Sequence, residues 1–506
     1  MTTEFEHAGL DFTRDLCSAI ERYTASAVKL NPIAYVYRGV QLRYAVERQL
    51  YIQCVNSVGL FHRYLASQGV EPKDTVTPAL NSIENDIAHF LFEKDLLEGP
   101  PPKRVVRWLA GVARRALGRI PRLLSLDRKL SPETQGTDVL IHVVNLKFVR
   151  YLAPITRLLQ PNSFVYLATA GSTLSEQLRS DGYPTVNSTI EHSIDEGIFY
   201  SQALSEFPQL MLDAGATLTA LQALQPKCVV VVEGNAPMDA LTADVCRLLG
   251  IPCYCVQQGW SPYIHNGFRN LDYTDMFVWG PRFAERLRSH NPRQRFSLTG
   301  NHAIGRCPPP LIARQIKGLS FFLQAPCALL SDSTYNVFVN LIASVAKSHP
   351  QVRIMVREHP SYPMPIEMRQ KFESCTNVHF SIPEKESLLE IIAASDMVIS
   401  IFSTVLLEAL AMGVVPMFCS IGAIRNYEPD LVSAGAAIEA HSVPEALRII
   451  HEVIAEPKRL MPIREAISKI ADDFFCTGNA AEAIASRLTG SNRISHLLTP
   501  RISLPN

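Results

Sequence analysis

Two short stretches of this 506-residue chain bring together residue types that could do chemistry. Residues 352–360, VRIMVREHP, read as an apolar strand ending in Arg357, Glu358, His359 and Pro360. Residues 396–416, DMVISIFSTVLLEALAMGVVP, read as a buried strand, a hydroxyl pair at Ser403 and Thr404, and an apolar helix that carries Glu408 and closes at Gly413. A strand that delivers Ser-Thr to a helix start aims backbone N–H groups and two hydroxyls at one point, which suits a phosphate. Two such strand tips in one parallel sheet would place His359 and Ser403 along the same edge, where open α/β sheets bind ligands. Pro360 restricts His359 to an extended or turn geometry. A structural histidine, and helix caps at Ser403 and Thr404, are the plainer readings of the same residues. Glu408 is costly in an apolar helix without a partner, which a ribose hydroxyl pair or an arginine would supply. Together Arg357, His359, Pro360, Ser403, Thr404 and Glu408 imply a grip on a phosphate-bearing ligand, a nucleotide in kind.

A reaction at that ligand needs a general base or a nucleophile. Carboxylates at strand ends in the first half of the chain are the natural candidates. Glu233 directly follows the run VVVV and precedes Gly234, so it falls at the cleft edge of a buried strand. Asp239 opens the next helix, where a cap is the favoured reading. Asp195 and Glu196 lie in a loop, and solvated loop carboxylates are common. His265, in the loop after Gln258 and Gly259, is a further candidate base or phosphate contact. No paired carboxylates or His/Cys cluster with ligand spacing suggest a metal. No GxxxxGK[ST] loop and no GxGxxG after a strand occur, which argues against an NTPase or a dehydrogenase.

The elements that must position these residues follow from patterning. Hydrophobic residues make up 47% and charged residues 19% of the chain, so large buried cores are expected and wholesale disorder is not. The length calls for two or three domains. A formal net charge of +0 leaves no global field for nucleic acid. The 11 scattered cysteines fit reduced thiols in a reducing compartment, with Cys253 and Cys255 sharing one face of a buried strand. No apolar run approaches the ~20 residues of a membrane span, and the acidic, polar N-terminus is no secretory signal. The chain is therefore expected in the cytoplasm. Residues 1–130 read as a helical extension. From residue 138 short apolar strands alternate with helices up to residue 302, and after Pro308-Pro309-Pro310 the alternation restarts at 311 and runs to 488. That rhythm predicts two doubly wound parallel sheets, followed by a loose tail at 489–506.

The segments REHP and ISIFST…EALAMGVVP resemble the nucleotide-binding half of bacterial surface-polysaccharide glycosyltransferases of the GT-B fold, two facing Rossmann-like domains. The resemblance is nearest to Kdo and sialic acid transferases, whose His-Pro and Ser/Thr motifs hold CMP. It implies that His359-Pro360 and Ser403-Thr404 match those motifs, and that Glu408 stands where many such enzymes keep a carboxylate for the ribose. VVVVEGN, IPCYCVQQG, DMFVWG and SLTGN resemble GT-B enzymes and UDP-GlcNAc 2-epimerases. An acidic motif like that of the sialyltransferases appears only as Asp195-Glu196-Gly197, away from a clear strand end. Gln257-Gln258-Gly259 replaces the histidine of teichoic acid glycerophosphotransferases. The implied activity is transfer of a sugar from a nucleotide donor to a lipid-linked or glycan acceptor in surface polysaccharide or lipopolysaccharide synthesis. CMP-Kdo or a similar CMP-sugar is the favoured donor and a UDP-sugar the other, with no metal and no cofactor. The first domain would take the acceptor and the second the nucleotide sugar. A UDP-GlcNAc 2-epimerase-like enzyme and a non-catalytic scaffold are the alternatives.

Residues 103–124, KRVVRWLAGVARRALGRIPRLL, hold Lys103, Arg104, Arg107, Arg114, Arg115, Arg119 and Arg122 and no acidic residue. At helical spacing the apolar residues fall on one side and the arginines on the other, as in a helix lying in a membrane interface. A linker helix with solvated arginines is the plainer reading. Each basic residue near an anionic leaflet contributes about 1 kcal/mol, so a peripheral position on the inner face of the cytoplasmic membrane is expected. The protein should therefore sediment with vesicles containing anionic lipid and be released by salt. Changing Arg107, Arg114, Arg115 and Arg119 to glutamate should abolish that binding. Wild-type protein that ignores such vesicles at low ionic strength would overturn the membrane reading.

Overall fold

The computed structural model describes residues 2–30, 32–55, 137–169, 172–188, 208–261, 263–304, 315–326, 330–359, 362–382, 386–421, 430–476 and 478–490. The basic segment at 103–124, Asp195, Glu196 and Pro360 lie outside the described residues.

The chain starts with two helices, Thr2–Leu30 and Arg43–Val55, separated by a small hairpin of β1 (Val36–Tyr37) and β2 (Val40–Gln41). Two parallel sheets follow. The first contains β3 (Val139–His142), β4 (Phe164–Thr169), β5 (Thr185–Ser188), β6 (Cys228–Val232), β7 (Cys253–Val256), β8 (Asp275–Val278) and β9 (Phe296–Leu298). Its strand order is β5-β4-β3-β6-β7-β8-β9, with every pairing parallel. The second contains β10 (Gly318–Phe322), β11 (Arg353–Arg357), β12 (Val378–Ser381), β13 (Met397–Ser400), β14 (Val415–Cys419) and β15 (Ile438–Ala440). Its order is β12-β11-β10-β13-β14-β15, again wholly parallel. The two doubly wound domains expected from the sequence are present. Each strand order reverses once, between β3 and β6 and between β10 and β13, and such a reversal opens a crevice at the carboxyl ends of the strands.

Strands such as β6 (CVVVV) and β10 (GLSFF) are buried along their whole length because a parallel sheet is covered on both faces. One apolar core runs through both domains and takes in Phe12, Leu16 and Ile20 of the first helix and Leu50 of the second. A smaller core lies on the other face of the first sheet. It is filled partly by Ile484, Ala485 and Leu488 of the helix Ala480–Thr489.

That last helix corrects the expected boundary at 488. The second domain gives up the chain after the helix Met461–Phe474, and the helix Ala480–Thr489 docks back on the first sheet. Arg487 reaches Asp275 at the start of β8 at 3.5 Å, and the Cys228 thiol donates to Leu488 O at 3.7 Å. The apolar face of AAEAIASRLT would suit either domain, so position in the sequence could not decide between them. The crossing is tight. Cys476 N–H donates to Trp279 O at 2.9 Å, and Phe475 stacks on the Trp279 ring at 5.6 Å.

A glycine is required where the two domains touch. A Cβ on Gly280 would lie 2.2 Å from Phe474 O and 2.5 Å from its carbonyl carbon, both backbone atoms that cannot swing aside. Gly280→Ala should therefore destabilise the protein by at least the 1–3 kcal/mol typical of overpacking. Urea unfolding would show this as a lower midpoint, and an unchanged midpoint would mean that the crossing gives way easily.

Candidate functional site

On the first sheet the crevice is built by the turns after β3 and β6. After β6 the chain passes through Glu233 at φ +70° and Gly234 at φ +76°. The left-handed region suits glycine but is unusual for glutamate, and such strain concentrates at functional sites. A Cβ on Gly234 would meet Cys255 Sγ at 2.5 Å, so this position must also be glycine for space. Glu233 N–H continues the ladder to Val256 O at 2.8 Å. Its carboxylate leans over Gly259, with Oε1 3.0 Å from where a Cβ of that residue would stand. Gly259 thus makes room for the acid.

After β3, Asn145 caps the helix Leu146–Thr156 by accepting Lys147 N–H at 2.9 Å. Lys147 Nζ then stands 4.0 Å from Glu233 Oε2. Tyr151, one turn further along the same helix, donates to Gln257 O at 2.7 Å. Burial holds its phenol protonated, opposed by a hydrogen bond from Trp279 and reinforced by the charges of Glu408 and Glu233. Tyr151 thus feels the charge of a carboxylate of each domain. Asp239 is the cap that its position implied: Oδ2 accepts Ala236 N–H at 3.0 Å, and burial pushes its carboxyl up to about 7.

His265 is a correction. Expected as a base or phosphate contact, it lies flat against Tyr51, with ring centroids 4.5 Å apart and planes 3° apart. Its Nδ1 accepts Gly267 N–H at 3.0 Å, and burial with the charges of Arg48 and Arg269 pushes its pKa down to about 3. The imidazole is a neutral brace of the 259–269 loop.

On the second sheet the crevice lies among the tips of β10, β11 and β13. Ser400 Oγ donates to Phe322 O at 2.7 Å, and Phe402 N–H donates to Gln324 Oε1 at 2.8 Å, so the β13 tip is laced to the exit of β10. His359 lies two residues past β11, and its carbonyl accepts Tyr362 N–H at 3.0 Å. The ring is half-buried, and burial together with the charge of Lys147 lowers its pKa, leaving it neutral near pH 7. His359 of one domain therefore feels Lys147 of the other. Ser403 Oγ accepts Val405 N–H at 3.4 Å.

Thr404 departs from the expected phosphate contact, since its Oγ1 donates across the cleft to Trp260 O at 3.0 Å. The helix Val405–Ala411 is also less free than an anion site needs. The N–H groups of Leu406 and Leu407 already bond to Ser403 O and Thr404 O. Glu408 Oε2 is sealed from solvent with no hydrogen-bond partner, and burial pushes the carboxyl up to about 7.

Arg357 turns the other way. Its guanidinium donates to Ser381 Oγ at 3.3 Å and Glu386 O at 2.8 Å, along the β12 side of the sheet. It ties β11 to β12, which corrects its expected role beside His359. Asp195 and Pro360 lie outside the described residues. The structure thus puts Glu233 beside Lys147 after β6 and Ser403, Thr404 and Glu408 after β13, with Thr404 bonded to Trp260, while Arg357 and His265 are engaged in other contacts.

Sequence reasoning missed Lys147 and Tyr151. The available signal was their place on the first helix after a buried strand, one turn apart and hence on one face. No group of His, Cys, Asp and Glu among the described residues could hold a metal ion. A separate hollow of about 140 Å³ at the amino ends of β10 and β11, lined by Ser320, Arg353 and Glu390, is smaller than the several hundred Å³ of ordinary ligand pockets.

No family model matches this chain, and no curated protein matches it. Among solved structures, MurG of Acinetobacter baumannii is 13% identical, with 70% of this chain and 99% of that one covered and a TM-score of 0.47. A UDP-GlcNAc 2-epimerase from Neisseria meningitidis bound to UDP-GlcNAc is 16% identical, covers 70% and 99%, and has a TM-score of 0.48. HepE of Anabaena in complex with UDP and glucose is 14% identical, covers 70% and 100%, and has a TM-score of 0.44. Each likeness is one of general layout.

The unpartnered Glu408 has a measurable consequence. Its folded-state pKa of about 7 stands above the ordinary 4.5, so the native protein binds more protons than the unfolded chain between those values. Its contribution to stability is therefore lost as pH rises through that window. Glu408→Gln should remove that loss, making the variant more stable than wild type at pH 8 by on the order of 2–3 kcal/mol, with a smaller difference at pH 5. Urea unfolding of both proteins at the two pH values checks it, and parallel pH dependences would show that Glu408 is already satisfied.

Proposed function

We propose that this chain transfers a sugar from a nucleotide donor to an acceptor hydroxyl in the cleft between its two sheets. The observation that carries the reading is the juxtaposition of the two crevices. Glu233, in a left-handed turn, lies on one side; His359, Ser403 and the unpartnered Glu408 lie on the other; Lys147 stands between. Glu408 suits a ribose, whose hydroxyls would donate to the orphaned Oε2 and end its isolation. Neutral His359 and the Ser403 hydroxyl suit the phosphate.

In the reaction, the acceptor O–H gives its proton to the Glu233 carboxylate while its oxygen bonds to the anomeric carbon. The bond from that carbon to the phosphate oxygen breaks, and its electron pair leaves with the nucleotide. Lys147 and the His359 region face the charge that then develops, where electrostatic stabilisation is worth most. A CMP-sugar, Kdo in kind, is the favoured donor on the His-Pro and Ser/Thr pair, with a UDP-sugar second. A lipid-linked or glycan acceptor of surface polysaccharide or lipopolysaccharide synthesis is the favoured acceptor. Among the described residues no helix is long and apolar enough to cross a membrane. Residues 103–124 are the segment proposed to bring the cleft to an anionic membrane surface.

Saturating CMP or UDP should raise the melting temperature, because a ligand held only by the folded state stabilises it by about 2.7 kcal/mol at a hundredfold excess over Kd. Glu233→Gln should keep that shift yet lower nucleotide release from a panel of CMP- and UDP-sugars by about 10²–10⁴-fold. No shift with either nucleotide would overturn the donor reading. A variant that turns over like wild type would remove Glu233 from the base role.

A further inference from the structure

The turn that presents Glu233 is held from behind by side chains that neither sequence reading nor the proposed chemistry uses. The helix Arg43–Val55 of the N-terminal extension buries Arg48 to 2% exposure against the first domain. Arg48 Nη1 donates to Ala236 O at 3.0 Å and to Tyr273 Oη at 3.4 Å. Tyr273, itself buried, donates its hydroxyl to Gly234 O at 3.0 Å. The carbonyls of Gly234 and Ala236 and the N–H of Ala236 are thus all occupied, the last by Asp239. The backbone from Glu233 to Ala236 has little room left to relax.

Two physical arguments make this more than ordinary packing. A glutamate at φ +70° is strained and persists only where its surroundings over-determine it. A fully buried guanidinium is expensive too. Among the described residues Arg48 forms no ion pair, the more distant charge of Asp239 favours it, and its Nε makes no hydrogen bond. Both costs meet at one turn, since the hydrogen bonds that the charge does make go to Ala236 O, just beyond the candidate base, and to the Tyr273 hydroxyl that braces Gly234 O. The same extension backs the adjoining loop: Tyr51 stacks on His265, and Asn266 Nδ2 donates to Cys17 O at 3.3 Å.

We propose that Arg48 and Tyr273 are positioning residues that hold the Glu233–Gly234 turn in its left-handed form, so that the N-terminal extension is a working part of the site. This rests on the reading of Glu233 as the base. Displacing a reacting group by about 1 Å can cost a hundredfold in rate, which sets the scale of what the props control.

Tyr273→Phe removes one hydroxyl and leaves the ring, so it is the primary variant. Arg48→Lys, which keeps the charge but not the fork, is the second. Hydrogen exchange of the peptide spanning residues 232–240 reads the turn without reference to activity, and nucleotide release from the CMP- and UDP-sugar panel reads its use. In Tyr273→Phe the 232–240 amides should exchange at least about tenfold faster, kcat should fall about ten- to a hundredfold at unchanged KM, and Kd for CMP or UDP should stay within about twofold. Arg48→Lys should fall between wild type and Arg48→Met in both readouts. Wild-type exchange and wild-type kcat in Tyr273→Phe would overturn the proposal. Faster exchange with kcat unchanged would overturn it as well, provided that Glu233→Gln is inactive. A fully active Glu233→Gln would instead sink the base reading, while the exchange result would still decide whether these residues hold the turn.

Discussion

A carboxylate held at the end of a buried strand, in a backbone conformation that glutamate does not favour, is the constraint on which the first half of this structure turns. β6 is apolar throughout, so the chain leaves the sheet with no polar side chain until Glu233. The left-handed pair at Glu233 and Gly234 bends the backbone over Cys255 and lays the acid above Gly259. Each neighbour is chosen to fit: glycine where a Cβ would strike sulfur, glycine where a side chain would strike the acid, and Asp239 to take the N–H that the bend exposes. The helix Pro237–Leu249, clamped to β3 through His142 and Thr242 at 2.6 Å, then fixes the far end of the bend.

The second half answers with the opposite arrangement. Its polar groups come from strand tips and from the helix Val405–Ala411, whose Glu408 is left unsatisfied. A buried carboxylate oxygen without a donor is costly and rare in a native protein. Under the proposed reading, a ribose hydroxyl supplies the hydrogen bond that Glu408 Oε2 lacks. The hydrogen bond from Thr404 to Trp260 joins the tip of β13 to the loop that carries Gly259. The candidate base and the orphaned acid are thereby held in one frame although they belong to different sheets.

What the sequence disclosed follows from what periodicity can carry. Buried strands, their order of appearance and the polar residues at their tips were legible, because a parallel strand covered on both faces reads as an uninterrupted apolar run. The positions of Glu233, His359 and Ser403 just beyond strands, and of Glu408 on the following helix, were read that way. Arg357 was legible as a residue but not as a direction: a half-buried arginine at a strand end can turn toward either neighbouring strand, and it turned to β12. His265 failed for the same reason, since only a residue far away in sequence, Tyr51, makes it a stacking partner. Lys147 reads as one more surface lysine after a helix cap. Thr404 reads as a cap, and nothing local reveals a partner 144 residues away.

Arg48 is the extreme of this limit. In RYAVERQLYIQCV an arginine beside Glu47 looks like half of a solvated pair, yet both side chains are buried. Glu47 accepts from Thr24 and Arg43 of the extension at 2.7 Å and 2.9 Å, and from Asn270 of the first domain at 3.3 Å. Arg48 is matched by the carbonyl and phenol groups of the first domain. Both neighbouring charges therefore tie the extension to the first domain, Glu47 through Asn270 and Arg48 through the groups behind the Glu233 turn. An apolar residue at position 48 would have buried the helix at lower electrostatic cost. It could not have given two hydrogen bonds to the backbone and side chain that shape the Glu233 turn, and that is the difference an arginine makes here.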